Sequence, residues 1–150
     1  MRTNKACLAD TLNPTNIIIE VGIILMLFIN DVHEQFYSKH RSTDVYRNAF
    51  FYSIGICTET RERVEALYDF EERCVRPEAV FAAWQTSETV KVSRLAFSLF
   101  TDGVPSAYEL KGEEAFQECR LYSVSDIFCC GYASYFFQAI KLRYPEYTGG

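Results

Sequence analysis

The sequence predicts an all-α protein, and three observations carry that expectation. Apolar residues recur at spacings of three and four through most of the chain after residue 26, and nowhere does a convincing alternation of period two appear. Capping residues precede the periodic stretches, at Asn30-Asp31, Ser42-Thr43-Asp44, Thr86-Ser87 and Ser123. Apolar residues make up 49% of the 150-residue chain and aromatic ones 15%, enough for a core without disulfides or metals. The expected architecture is a single compact domain of about six short helices over residues 26–150, with residues 1–25 irregular or not native.

The elements follow in order. Asn30 or Asp31 caps a helix to about Lys39, with Val32, Phe36 and Tyr37 on its inner side. Ser42-Thr43-Asp44 caps the next, to about Cys57; Val45, Ala49, Tyr52 and Ile56 form one stripe, and Phe50, Phe51 and Ile54 fill most of the rest. A helix apolar nearly all round belongs at the centre. Thr58 opens a third helix, with Glu59 in the first turn where the dipole favours an acid and Val64, Leu67 and Tyr68 as its stripe.

Pro77 fits the first turn of a fourth, because that position needs no N–H; its apolar side is Val80, Phe81 and Trp84. Thr86-Ser87 caps a fifth, carrying Val92, Leu95, Ala96 and Leu99 and closed by Gly103 and Pro105. Ser106 to Glu109 matches a capping box, yet Gly112 follows too soon for a long helix, so residues 103–122 read as irregular. Ser123 to Asp126 opens a short helix to about Cys130. The last uses Ala133, Phe136, Phe137, Ile140 and Tyr144 and stops at Pro145.

Ile17–Ile29 is the most apolar run, but it is too short to span a bilayer and Glu20 interrupts it. No small-residue cleavage site follows, so a signal peptide fits no better, which leaves a short amphipathic anchor or a buried β-strand as readings of this run. The codons for Glu20-Val21 can spell GAGGT, a ribosome-binding core upstream of Met26. The hypothesis is that translation naturally starts at Met26 and residues 1–25 are a translated leader; purine-poor codons at Glu20–Gly22 in the gene would sink it.

The formal net charge of −5, without any basic run, makes nucleic acid a poor partner, since phosphates must be neutralised. The acidic pairs Glu71-Glu72 and Glu113-Glu114 are too short for nucleic-acid mimicry. The six cysteines include no C-x-x-C, and Cys57, Cys129 and Cys130 sit in apolar runs, as reduced small hydrophobes do. His33 and His40 are seven apart, wrong for chelation on one helix, and read as exposed or helix-end histidines. Neither a nucleophile elbow nor a phosphate-binding loop occurs, and no cofactor is implied.

The densest chemistry lies in Tyr68–Phe100. Asp69, Glu71, Glu72 and Glu78 interleave with Arg73 and Arg76, as a docking patch, an acid–base pair or a solvated connection with local ion pairs. Trp84, Gln85 and Thr86 mark a corner where one helix ends and another begins, with Gln85 placed to bond a neighbouring backbone. Arg94, on an otherwise apolar helix, is expected to reach back to one of those carboxylates.

Several segments together resemble a domain-of-unknown-function family of small helical proteins from Gram-positive bacteria and their mobile elements. They are FIN-x-x-HEQFY (Phe28–Tyr37), RNAFFYSI (Arg47–Ile54), LYDFEE-x-x-x-RPE (Leu67–Glu78), WQTS (Trp84–Ser87), RLAFSLF (Arg94–Phe100), S-x-x-DIF (Ser123–Phe128) and AIKLR (Ala139–Arg143). The likeness covers Met26 to about Tyr144 and implies a helical domain and a mobile-element context, with no activity to carry over. The expectation is a cytoplasmic, non-catalytic protein-binding or regulatory protein whose partner is another protein, without nucleic acid or membrane. A surplus of aromatics also points to a homodimer face. The alternative is a small hydrolase-like enzyme using carboxylates among Asp69, Glu71, Glu72 and Glu78.

Overall fold

In the computed structural model, residues 18–19 and 24–148 are described. Ile18–Ile19 (β1) and Ile24–Leu25 (β2) pair antiparallel; the reading of residues 1–25 as a leader otherwise falls outside the described residues. From Met26 onward helices dominate, as the periodicity predicts. No helix among the described residues is long and apolar enough to cross a membrane.

The first two caps are where the sequence puts them. α1 spans Asp31–His40, and the Asn30 side chain accepts the His33 N–H at 2.8 Å. α2 spans Val45–Ile54, with Asp44 accepting the Tyr46 N–H at 2.9 Å. It stops at Gly55, where a Cβ would meet ring carbons of His33 and Phe36 at 2.9 Å, so α1 can approach α2 this closely only over glycine.

The expected third helix breaks at Arg63 into α3 (Thr58–Glu62) and α4 (Val64–Leu67). A small hairpin follows, Tyr68–Asp69 (β3) against Cys74–Val75 (β4). Strands of two residues are too short to show a period, so this ribbon was invisible in the pattern. Pro77–Phe81 is a 3-10 turn rather than an α-helix, and α5 runs Thr89–Thr101. The left-handed residue closing α5 is Asp102 (φ 60), not the adjacent glycine; aspartate is among the few L-residues that tolerate this region.

The stretch read as irregular holds a 3-10 turn at Pro105–Ala107 and a further helix, α6 (Gly112–Arg120). Gly112, read as a breaker, has φ +59 and begins α6: the flexible residue turns the chain into the helix instead of ending one. α7 (Val124–Ile127) and α8 (Ala133–Arg143) complete the chain, α7 capped by Ser123.

α2 is central, as expected. It packs on α1, α5 and α8, and six of its residues, Ala49 to Ile54, are buried. Phe50, Phe51, Leu67, Tyr68 and Phe97 make one core cluster, while Tyr52 joins Phe28, Tyr37, Val92, Leu99 and Phe136 in the other. Each buried ring or large aliphatic side chain stabilises the fold by about 1.5–3 kcal/mol. Three side chains expected to face inward do not: Val32, Phe81 and Phe137 are 50%, 55% and 58% exposed.

Polar ties fasten the periphery. The Tyr52 hydroxyl donates to the Leu27 carbonyl at 2.5 Å, and Gln138 on α8 accepts the Leu27 N–H at 3.1 Å. At the other end Arg143 of α8 donates to the Leu99 carbonyl at 2.9 Å and to both Asp102 oxygens at 2.8 and 2.9 Å. Its guanidinium lies over the Tyr46 and Tyr144 rings, 3.6 and 4.4 Å from their centroids.

Candidate functional site

The residues singled out from the sequence fall into three separate arrangements. The first is the β3–β4 hairpin. Asp69 sits at its base, and its carboxylate accepts the N–H groups of Glu71 and Glu72, both at 2.9 Å. It also pairs with Arg76 at 3.0 Å. The Glu72 N–H, ahead of the Glu71 N–H and Arg76, holds the carboxyl below its ordinary range. Arg73 takes the left-handed conformation (φ 59) that closes the turn, its N–H on the Asp69 carbonyl at 2.7 Å. Glu71, Glu72 and Arg73 are exposed, as is Glu78 in the first turn of the Pro77–Phe81 segment. Asp69 is therefore engaged in shaping a turn, a local role that six charged residues in ten positions do not reveal.

The second arrangement is the corner before α5. Trp84 is half-buried beneath the Arg63 guanidinium, 5.1 Å from its ring. Gln85 Nε2 donates to the Ala79 carbonyl and to Ser93 Oγ, both at 3.0 Å, while Oε1 accepts from Thr89 Oγ1 at 2.8 Å. Thr86 Oγ1 accepts the Thr89 N–H at 3.1 Å and Thr89 Oγ1 accepts the Thr86 N–H at 2.7 Å, a reciprocal box that opens α5. Gln85 bonds a neighbouring backbone as expected.

Arg94 leads to the third arrangement, and here the expectation is corrected. It does not reach the Asp69–Glu78 carboxylates. Its Nε and Nη2 donate to Glu118 Oε2 and Oε1 at 2.8 and 2.9 Å, joining α5 to α6. The pair is almost dry, with side chains 10% and 5% exposed. Ser106 Oγ donates to Glu118 Oε2 at 2.6 Å and lies 2.6 Å from the Tyr122 hydroxyl. A buried ion pair is tolerated only when its remaining lone pairs are filled, and Ser106 fills one. Burial, ahead of the Ser106 contact that opposes it, pushes the Tyr122 hydroxyl up.

Ser106, Glu118 and Tyr122 were missed because their segment was read as irregular. The available signal was an arginine on a mostly apolar helix, three residues before Phe97 and four after Val90, which demands an acid packed against it.

Glu118 also forms the floor of an open groove of about 440 Å³ between α6 and Phe81. Leu110, Leu121 and Phe81 supply its apolar walls, and Glu113, Glu114 and Gln117 its polar rim. Positions 110, 113, 114, 117 and 121 recur at helical spacing, so one side of α6 and its flanks faces the groove. Phe81 and Leu121 are 55% and 37% exposed, and nearby in sequence Tyr108, Phe116 and Val124 are exposed too.

The histidines need a correction as well. His33 is fully buried, not exposed, with Nε2 donating to the Tyr52 carbonyl at 2.8 Å and Nδ1 accepting the Ile29 N–H at 3.2 Å. Burial drives its pKa down to about 4 against the opposing pull of the Tyr52 carbonyl, which keeps the ring neutral with both nitrogens occupied. Its spacing of three and four from Phe36 and Tyr37 is the signal that could have placed it on the inner side of α1. His40 stacks on Phe51 at 4.5 Å and is held below its ordinary pKa by burial, then by Lys39 and Arg47.

The five described cysteines are free. Cys57 is buried and its thiol pushed up to about 11 by desolvation, whereas Cys129 is exposed despite its apolar neighbours. Among the described residues no three of His, Cys, Asp and Glu are grouped to hold a metal ion.

No curated protein and no solved structure matches the chain. A family profile does match, over residues 24–149, which takes in α1 to α8, the hairpin and the groove. The chain therefore belongs to the family of unknown function DUF6075.

Proposed function

We propose that this chain is a cytoplasmic, non-catalytic binding protein carried by a bacterial mobile element, which acts by occupying another protein. Inhibition of a host defence system is one form of that action. The observation that carries the binding reading is the groove at Phe81 and α6, where large apolar side chains stay exposed beside a helix anchored mainly by one buried polar contact. The mobile-element context comes from the family resemblance alone. The carboxylate-hydrolase alternative has less support, because Asp69 is engaged by two backbone N–H groups and Arg76, and its carboxyl is held low rather than raised as a general acid requires.

The test is capture of a partner from lysate of the natural host, with the wild-type chain, Leu121→Glu, and the remote control Glu71→Gln/Glu72→Gln. A single partner retained by wild type and control but lost by Leu121→Glu is the expected result. Equal capture by all three removes the groove from the mechanism.

A further inference from the structure

The groove's chemistry narrows its occupant. We propose that it takes a basic amphipathic segment of a partner protein, an apolar side chain entering between Phe81 and Leu121 while flanking Lys or Arg residues meet Glu113 and Glu114. This rests on the binding reading above and deepens it.

The volume, about 440 Å³, lies in the range of ordinary binding clefts and has room for anchoring side chains of a docked segment. Apolar walls alone would accept any apolar segment; the rim discriminates. Among the described residues that line the groove, every charged one is a glutamate. Glu118 cancels against Arg94, so it adds little net field at the mouth. Glu113 and Glu114 remain. Both are exposed in the first turn of α6; among the described residues neither is ion-paired, and only Gln117 donates to Glu113, at 2.5 Å.

Two cations stand at the ends of this helix. Lys111 precedes it, and Arg120 in its last turn contacts Gln117 at 3.4 Å, but neither lines the cleft. An acidic segment would set its carboxylates against the two glutamates, whereas a basic one pairs with them while its apolar side covers Phe81 and Leu121. Charge complementarity of this kind governs partner choice and association rate more than raw affinity.

The probes are two dye-labelled helical peptides of equal length, one of Lys and Leu and one of Glu and Leu, titrated by fluorescence anisotropy against the full chain. The Lys/Leu peptide binds the wild type and the Glu/Leu peptide does not. Leu121→Glu and, independently, Phe81→Glu abolish binding with unchanged circular dichroism. Glu113→Gln/Glu114→Gln weakens it about tenfold and flattens its salt dependence. The control Glu71→Gln/Glu72→Gln, which removes the same charge from the hairpin, leaves binding intact.

Equal loss in that control means diffuse attraction to an acidic protein and overturns the proposal. Loss with Leu121→Glu but none with Glu113→Gln/Glu114→Gln overturns the basic partner while leaving the groove as a docking surface. If neither apolar substitution weakens the peptide, both readings fall. A dimer in sedimentation that Leu121→Glu dissociates overturns the proposal by assigning the groove to a second copy of the chain.

Discussion

α2 and α6 are nearly the same length, ten and nine residues, yet α2 buries six residues and α6 buries one, and that one is Glu118. α2 is held by area: rings and aliphatic side chains on every side, no single one decisive. α6 is held by address: one carboxylate that must meet Arg94 and Ser106. Apolar burial is strong and indifferent to detail, whereas a dry ion pair adds little net stability but punishes misplacement. A helix fixed that way keeps its other sides free, and the groove lies along one of them.

The comparison can be broken first at its stronger end. Phe50→Ala empties a fully buried site among Phe51, Tyr68 and Phe97 and should cost about 3–5 kcal/mol, read as a cooperative loss by denaturant titration. Glu118→Ala leaves the Arg94 charge buried without a partner, at a cost of about 3–5 kcal/mol at most, with a different signature. By hydrogen exchange, α6 amides should lose protection while those of α2 keep theirs. The double variant Arg94→Met/Glu118→Leu should recover most of the stability, as paired removal of a buried ion pair does. Uniform loss of protection across both helices in Glu118→Ala would erase the distinction.

Next in size is His33. Its folded pKa, about 4, lies below the ordinary 6.5, so the unfolded chain takes up the proton first as pH falls. The contribution is whole above about pH 6.5, declines through the window below, and is gone by about pH 4; integrated, it is about 3 kcal/mol. Melts at stepped pH should show this slope in the wild type and a flatter one in His33→Gln, whose amide can still donate to Tyr52 and accept from Ile29. Parallel slopes would remove His33 as the cause. Smallest of all is Asp69→Asn: the turn it shapes, residues 70–74, is exposed, so the denaturation midpoint should move least of the four and peptide binding at the groove not at all.

What could be read from the sequence follows the same division. α1, α2, α5 and α8 are legible because each announces itself locally, by Asn30, Asp44, Thr86 and Pro145, and by a stripe repeated within the helix. α6 was not. Its first residue is a glycine, it carries little apolar burial to produce a stripe, and its one decisive contact lies 24 residues away on another helix. The sequence points Arg94 back to the dense Asp69–Glu78 carboxylates, but a buried arginine is matched by what packs against it, here Glu118. Phe81 reads as core because it is large and apolar, yet it is 55% exposed beside α6, a helix the pattern conceals.

The hydrogen bond from Leu27 to Gln138 bridges 111 positions, and Phe28 shares its core cluster with Phe136 and Ala139. The other cluster, from Phe50 to Phe97, contains nothing later in the chain than Phe100. On a ribosome adding about 5–20 residues per second, that second cluster can close while α8 is still unmade. Phe28 and Tyr52 must wait roughly ten seconds for the segment that covers them. The nascent chain is therefore half a protein with one finished core and one open apolar face, and that interval is when chaperones, or aggregation, have their chance at it.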